Sequence, residues 1–150
     1  MIYADTSFLF AVYQKGDVFH VPAKKLMGRL KEPIALTLLG ELELLNNVHR
    51  GLADKVIDHR EHDSILRQIS DDEADGILAR QAVNEIELYA CARALSKKFT
   101  SETYARSLDI LHVATAKVLR ISPFVSFDAR QRTLAQKTGL AVLPRTIGNN

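Results

Sequence analysis

Short apolar runs, each cut off by a polar residue and followed by a helical pattern, are the strongest constraint on how this chain can fold. Ile2-Tyr3-Ala4 stops at Asp5-Thr6-Ser7, a polar helix start, and Phe8–Tyr13 then reads as a buried first helix closing near Gly16. Pro22 suits the first turn of a second helix, which runs to about Lys31, and Pro33 breaks it. Ile34-Ala35-Leu36 is a fully buried strand, after which Leu38, Leu39, Leu42, Leu45 and Asn46 step at helical spacing towards Gly51, the expected C-cap. Ser70-Asp71-Asp72-Glu73 has the form of a capping box that opens another helix. Ile86–Tyr89 fits a strand or a helix equally, whereas 90–99 and 107–119 are helical. Pro123–Phe127 is a strand ending at Asp128, residues 129–138 a helix capped by Gly139, and Leu140–Leu143 a last strand. Short buried strands alternating with helices predict an α/β fold: a three-layer sandwich with a short central parallel sheet flanked by helices.

Composition narrows the class. The 150 residues are 47% hydrophobic and hold one cysteine, which excludes a disordered chain and a disulfide scaffold. No repeat, low-complexity tract or linker divides the chain, so residues 1–150 are expected to form a single domain. Its apolar stretches are far shorter than the roughly 20 residues of a membrane span. The start, Met-Ile-Tyr-Ala-Asp, has no secretory pattern, so a soluble cytoplasmic protein is expected. The net charge of +2 hides an asymmetry. Residues 1–90 carry ten Lys/Arg and fifteen Asp/Glu, and residues 91–150 ten and three. A basic half favours a polyanionic partner, or serves only solubility. Its three acids are Glu102, Asp109 and Asp128.

Four acids stand out. Asp5 and Asp128 both end strands, and in open parallel sheets the carboxyl edge is where ligands bind. Each alone is more simply an N-cap, but a matched pair favours a site. Glu41 lies four residues into the leucine-rich helix, and Asp109 sits among Leu108, Ile110 and Leu111 in a helix that reads as buried. A carboxylate there is costly unless paired or bound to a cation. The plain alternatives are a solvent-facing Glu41, like Glu43, and a salt bridge from Asp109 to Arg106 or Arg130. Converging carboxylates repel unless a cation joins them, and an all-oxygen set suits Mg²⁺ or Mn²⁺ rather than zinc. Such a site can orient a phosphate and activate water, the chemistry of phosphodiester hydrolysis, with basic residues holding the backbone.

Asp5-Thr6-Ser7, Thr37-Leu-Leu-Gly-Glu41-Leu42, Asp109-Ile-Leu-His-Val-Ala-Thr-Ala116 and Ser126-Phe-Asp128, followed by Leu134-Ala135 and Gly139-Leu140, together resemble the PIN-domain family. Within it the chain is most similar to VapC-type toxins of prokaryotic toxin–antitoxin pairs. The resemblance implies a Mg²⁺- or Mn²⁺-dependent endoribonuclease with ligands on Asp5, Glu41, Asp109 and Asp128. It also implies hydroxyls of Thr6 and Ser126 that orient carboxylates or water, a homodimer, and a small antitoxin that blocks the acidic pocket. His20 and His112 stand where relatives often have histidine and are read as packing or hydrogen-bonding residues. Arg130 stands where many relatives carry a further acid, which speaks against a full second metal site. Gly40, before Glu41, costs helix propensity, and close packing is one reason for it. RNA contacts would come from scattered basic residues, with Lys24, Lys25, Lys97, Lys98, Arg130 and Arg132 as candidates.

Other features carry less. His59-Arg-Glu-His62 lacks the HExxH order and reads as a solvated face, Cys91 as a small core residue, and Asp71–Asp75 as an acidic first turn. No Walker A or GxGxxG run supports a nucleotide cofactor. The competing functions are a non-catalytic PIN-like module that binds RNA or protein, and an aspartyl-phosphate domain. The latter lacks the expected second Asp, because residue 7 is serine.

Overall fold

The strands form wherever the sequence offers a short, fully apolar run. The computed structural model describes residues 1–147 and contains β1 (Ile2–Ala4), α1 (Thr6–Tyr13), α2 (His20–Met27), β2 (Ile34–Leu36), α3 (Leu38–Ala53) and α4 (His59–Ala74). There follow β3 (Leu78–Arg80), α5 (Glu85–Thr103), α6 (Ser107–Val118), β4 (Phe124–Val125), α7 (Ala129–Lys137) and β5 (Val142–Leu143). The strands pair in the order β1-β4-β5 in one group and β3-β2 in another, and helices connect them, as the α/β reading requires. By its internal contacts the chain separates into two compact units, one of Met1–Asp5 with Ala82 onward and the other Thr6–Gln81.

In the first unit β1 pairs in parallel with β4, Tyr3 opposite Phe124 and Ala4 opposite Val125, and β4 pairs in parallel with β5. Phe124 is fully buried and stacks on Tyr3 with ring centroids 5.5 Å apart. Tyr3 also meets His112, its hydroxyl 2.8 Å from Nδ1, so that buried histidine is a hydrogen-bonding residue, as expected. Helix α6 packs on α5 and on α7. Gly139 follows α7 at φ +83°, a left-handed position where a side chain is strained, so this glycine stops the helix as expected. The ambiguous stretch 86–89 is helix, inside α5, and Asn84 caps it by accepting from the amides of Ile86 and Glu87.

In the second unit β2 pairs in parallel with β3, and α1 packs on α2 and α3. His20 Nδ1 lies 2.8 Å from the Ala11 carbonyl oxygen, the hydrogen-bonding role expected of it. Three expectations fail here. Strand β3 has no counterpart in the sequence reading, because only Leu78 of its three residues is buried. Ser70–Glu73 does not open a helix. It lies near the end of α4, whose real capping box is Asp58 with Glu61, each side chain accepting from the other's backbone amide. The acids at that C-terminal end have side-chain donors instead: Asp72 accepts from Tyr13 at 2.6 Å and Glu73 from Arg80.

Gly51 is not a C-cap either, since α3 continues to Ala53. The amides of Val56 and Ile57 return to the Gly51 carbonyl, and a Cβ at Gly51 would lie 3.4 Å from the Ile57 side chain. That distance is an ordinary contact, so the turn does not demand glycine there. Nor does close packing within this unit explain Gly40: a Cβ there would meet Thr37 Oγ1 at 3.6 Å, again an ordinary contact. Asp58→Ala is expected to cost about 1 kcal/mol, whereas Ser70→Ala stays within about 0.5 kcal/mol, as urea unfolding would measure.

Candidate functional site

Strand pairing in the first unit brings the ends of β1 and β4 side by side. The Asp5 amide donates to the Val125 carbonyl at 3.0 Å, and the Ser126 amide to the Leu143 carbonyl at 3.1 Å. Asp5 and Ser126 are both fully buried. The Ser126 hydroxyl donates to Asp5 Oδ2 at 2.7 Å and accepts from the Asp128 amide at 2.9 Å. One hydroxyl therefore fixes a carboxylate at the end of β1 and the backbone that carries a second one.

Asp128 is the N-cap of α7, its Oδ1 accepting from the amides of Arg130 and Gln131 at 2.8 and 2.9 Å. The cap reading is thus realised, and Oδ2 has no protein donor among the described residues. Asp109 is buried in the first turn of α6 without a salt bridge to Arg106 or Arg130. Oδ2 accepts from the Arg106 backbone amide at 2.7 Å, and Oδ1 from Gln131 Nε2 at 3.2 Å. Asp109, Asp128, Ala129, Arg106 and Arg130 line one cavity of about 300 Å³.

Two further residues support this edge, Gln131, which sequence reasoning passed over, and Arg132, which it placed elsewhere. Gln131 bridges the two acids, its amide bound to Asp128 and its side chain to Asp109, while its buried Oε1 has no hydrogen-bond partner. Arg132, a candidate RNA contact in the sequence, is buried, and its guanidinium donates to the carbonyls of Ser126 at 2.9 Å, Leu143 at 3.1 Å and Pro144 at 2.7 Å. Burial lowers its pKa, and the nearby Asp5 carboxylate opposes that shift. It ties the ends of β4 and β5 together. Helix periodicity alone could not mark either residue as buried. Lys24, Lys25, Lys97, Lys98 and Arg130 are exposed, as an RNA contact requires.

The other predicted acid, Glu41, belongs to the second unit, in the first turn of α3, which Thr37 caps by accepting from the Gly40 amide. Arg80, at the end of β3, grips both its oxygens at 2.9 and 2.7 Å and also binds Glu73. The Arg80 hydrogen bonds hold the Glu41 carboxyl below its ordinary range, against a smaller opposing effect of burial. Glu43 is not the solvent-facing residue expected: the Thr6 hydroxyl donates to its Oε2 at 2.9 Å. The Thr6 hydroxyl is thus engaged by an acid outside the four predicted ones.

The donor set fits a hard divalent cation. Every candidate ligand is an oxygen, and Asp128 Oδ2 and Gln131 Oε1 are acceptors that lack a donor. Among the described residues no three His, Cys, Asp or Glu side chains form a ready cage. Mg²⁺ needs none, since it keeps several waters and binds through one or two carboxylates. The remaining candidates stay outside this chemistry. His62 pairs with His49 across α3 and α4, its Nε2 3.0 Å from His49 Nδ1, so it is not merely solvated. Burial raises the Cys91 pKa, with Lys117 opposing, so the thiol is a poor nucleophile. No described helix is long and apolar enough to cross a membrane.

Comparison with known proteins agrees with this architecture. Residues 2–137 match the family model of the PIN domain. VapC20 of Mycobacterium tuberculosis, described as a sarcin–ricin loop cleaving toxin, is structurally similar. Its TM-score is 0.68 at 17% identity, covering 93% of this chain and 96% of that one. FitAcB from Neisseria gonorrhoeae has a TM-score of 0.65 at 19% identity, covering 95% and 96%. No curated protein sequence matches. At such identities the two structures speak for the fold alone, but the family match covers both units: this chain belongs to the PIN-domain family.

Proposed function

We propose that this protein is a Mg²⁺- or Mn²⁺-dependent endoribonuclease, the toxin of a type II toxin–antitoxin pair. The carrying observation is the carboxyl edge of the first unit, where the Ser126 hydroxyl links Asp5 to the Asp128 backbone and where Asp109 and Asp128 face one cavity. VapC20, which shares the fold, is described as a toxin that cleaves the sarcin–ricin loop, and this supports RNA as substrate. In the same reading the protein works in the cytoplasm as a homodimer, restrained by a small antitoxin whose cationic side chain enters the acidic cavity. Residues 1–150 act as a single PIN domain.

Asp109 and Asp128 would hold the cation directly, with Asp5 and Glu41 completing the set. A bound divalent cation supplies positive charge to the phosphate and acidifies water. The protein's part is to pre-set the oxygens. Ser126 fixes the Asp5 carboxylate, and Gln131 and the Arg106 amide fix Asp109. Both arrangements remove reorientation from the reaction. Glu41 must share its oxygens with Arg80, so the ion pair competes with metal there.

The direct test is cleavage of a mixed set of single-stranded and structured RNAs with Mg²⁺, Mn²⁺ or EDTA. Cleavage that needs metal and falls at least about 100-fold in Asp5→Asn and in Asp109→Asn is expected, the scale of removing a transition-state charge partner. Full activity in either variant would refute the proposal. RNA binding without cleavage under both cations would favour the non-catalytic module. Arg80→Ala should lower the Mg²⁺ concentration for half-maximal cleavage by roughly two- to fivefold, the range expected of an exposed ion pair.

A further inference from the structure

Two arginines occupy the acid cavity in an arrangement that stability does not explain. Arg106 is the N-cap of α6 and Arg130 the second residue of α7, so each places a cation at the positive end of a helix dipole, where anions are favoured. Both line the cavity that contains Asp109 and Asp128. Both are exposed, and neither guanidinium has a hydrogen bond or ion pair among the described residues. The carboxylates beside them take backbone amides instead, and those amides are the arginines' own: Arg106 N–H to Asp109 and Arg130 N–H to Asp128. Each arginine is therefore anchored next to an acid by its main chain while its side chain is left available. A local rule broken twice at one cavity is the mark of a functional requirement.

We propose that Arg106 and Arg130 form a clamp for a backbone phosphate of single-stranded RNA, seated across the cavity mouth from the cation-binding acids. The proposal rests on the nuclease reading for its substrate, but its physical basis is the cavity. The cavity, of about 300 Å³, carries both carboxylates and both arginines on its wall, so one ligand can meet the two charge types together. Guanidinium groups are permanently charged and planar, and they bind phosphate oxygens two at a time. With Arg106 and Arg130 supplying fixed positive charge, the two guanidinium groups would hold the phosphate beside the carboxylates of Asp109 and Asp128, which would hold the cation.

The test measures binding without cleavage. A 5′-labelled single-stranded RNA is titrated in EDTA across a potassium chloride series, followed by fluorescence anisotropy. The proteins are wild type, Arg106→Ala, Arg130→Ala, the double alanine variant and Arg130→Lys. The double variant is expected to bind at least about tenfold more weakly at physiological salt. Its slope of log affinity against log salt should fall by about 0.7, since the clamp neutralises one phosphate and each such phosphate on a single strand is worth about 0.7. Arg130→Lys should keep the slope. Mn²⁺ affinity by calorimetry should not weaken and thermal unfolding should stay at the wild-type value, which separates a lost phosphate contact from a damaged metal site or fold. An unchanged slope in the double variant, or no RNA binding by wild type, would overturn the clamp. If binding depends on the arginines but wild type never cuts RNA with metal, the clamp stands and the nuclease reading fails. If wild type cuts RNA and the double variant binds with an unchanged slope, the clamp falls and the nuclease reading stands.

Discussion

The Ser126 hydroxyl is the contact on which the carboxyl edge of this protein depends. It is fully buried, gives its proton to Asp5 at 2.7 Å and receives the Asp128 amide at 2.9 Å. A buried carboxylate without donors is costly, so this bond both stabilises Asp5 and sets the direction of its oxygens. The bond exists because β1 and β4 pair in parallel, which puts their C-terminal ends at one level. Arg132 extends the constraint by binding the Ser126, Leu143 and Pro144 carbonyls, locking the ends of β4 and β5. Small changes here would propagate to every acid of the edge.

The acids are satisfied in ways that leave them usable. Asp128 spends one oxygen on its cap and keeps the other, and Asp109 is held by an amide and by Gln131 rather than by an arginine. Arginine neutralises Glu41 instead: Arg80 binds both its oxygens and reaches Glu73 as well. An exposed ion pair of this kind is weak enough to yield to a stronger cation. The first unit thus offers carboxylates to a ligand, while the second masks its own.

Much of this was legible in the sequence because the signals were local. Ile2–Ala4, Ile34–Leu36 and Phe124–Val125 are buried apolar runs, and the polar residues that end them fall where the strands end. Asp5 and Asp128 were singled out by equally local signals, as acids that end strands, and Asp109 as a charge among apolar residues. What failed was non-local or degenerate. Ser70–Glu73 matches a capping box, but the helix had already begun at the Asp58 box. Strand β3 carries too little apolar content to announce itself. The pairing of Arg80 with Glu41 joins residues 39 apart, and Arg132 is buried by backbone carbonyls that no pattern encodes.

The most direct test of the central claim is diffraction from crystals grown with Mn²⁺, recorded near the manganese absorption edge. An anomalous peak bounded by the carboxylates of Asp109 and Asp128, beside Asp5, is the predicted result. Saturating Mn²⁺ with no peak in that cavity, or with the ion held by other residues such as His49 and His62, would contradict it.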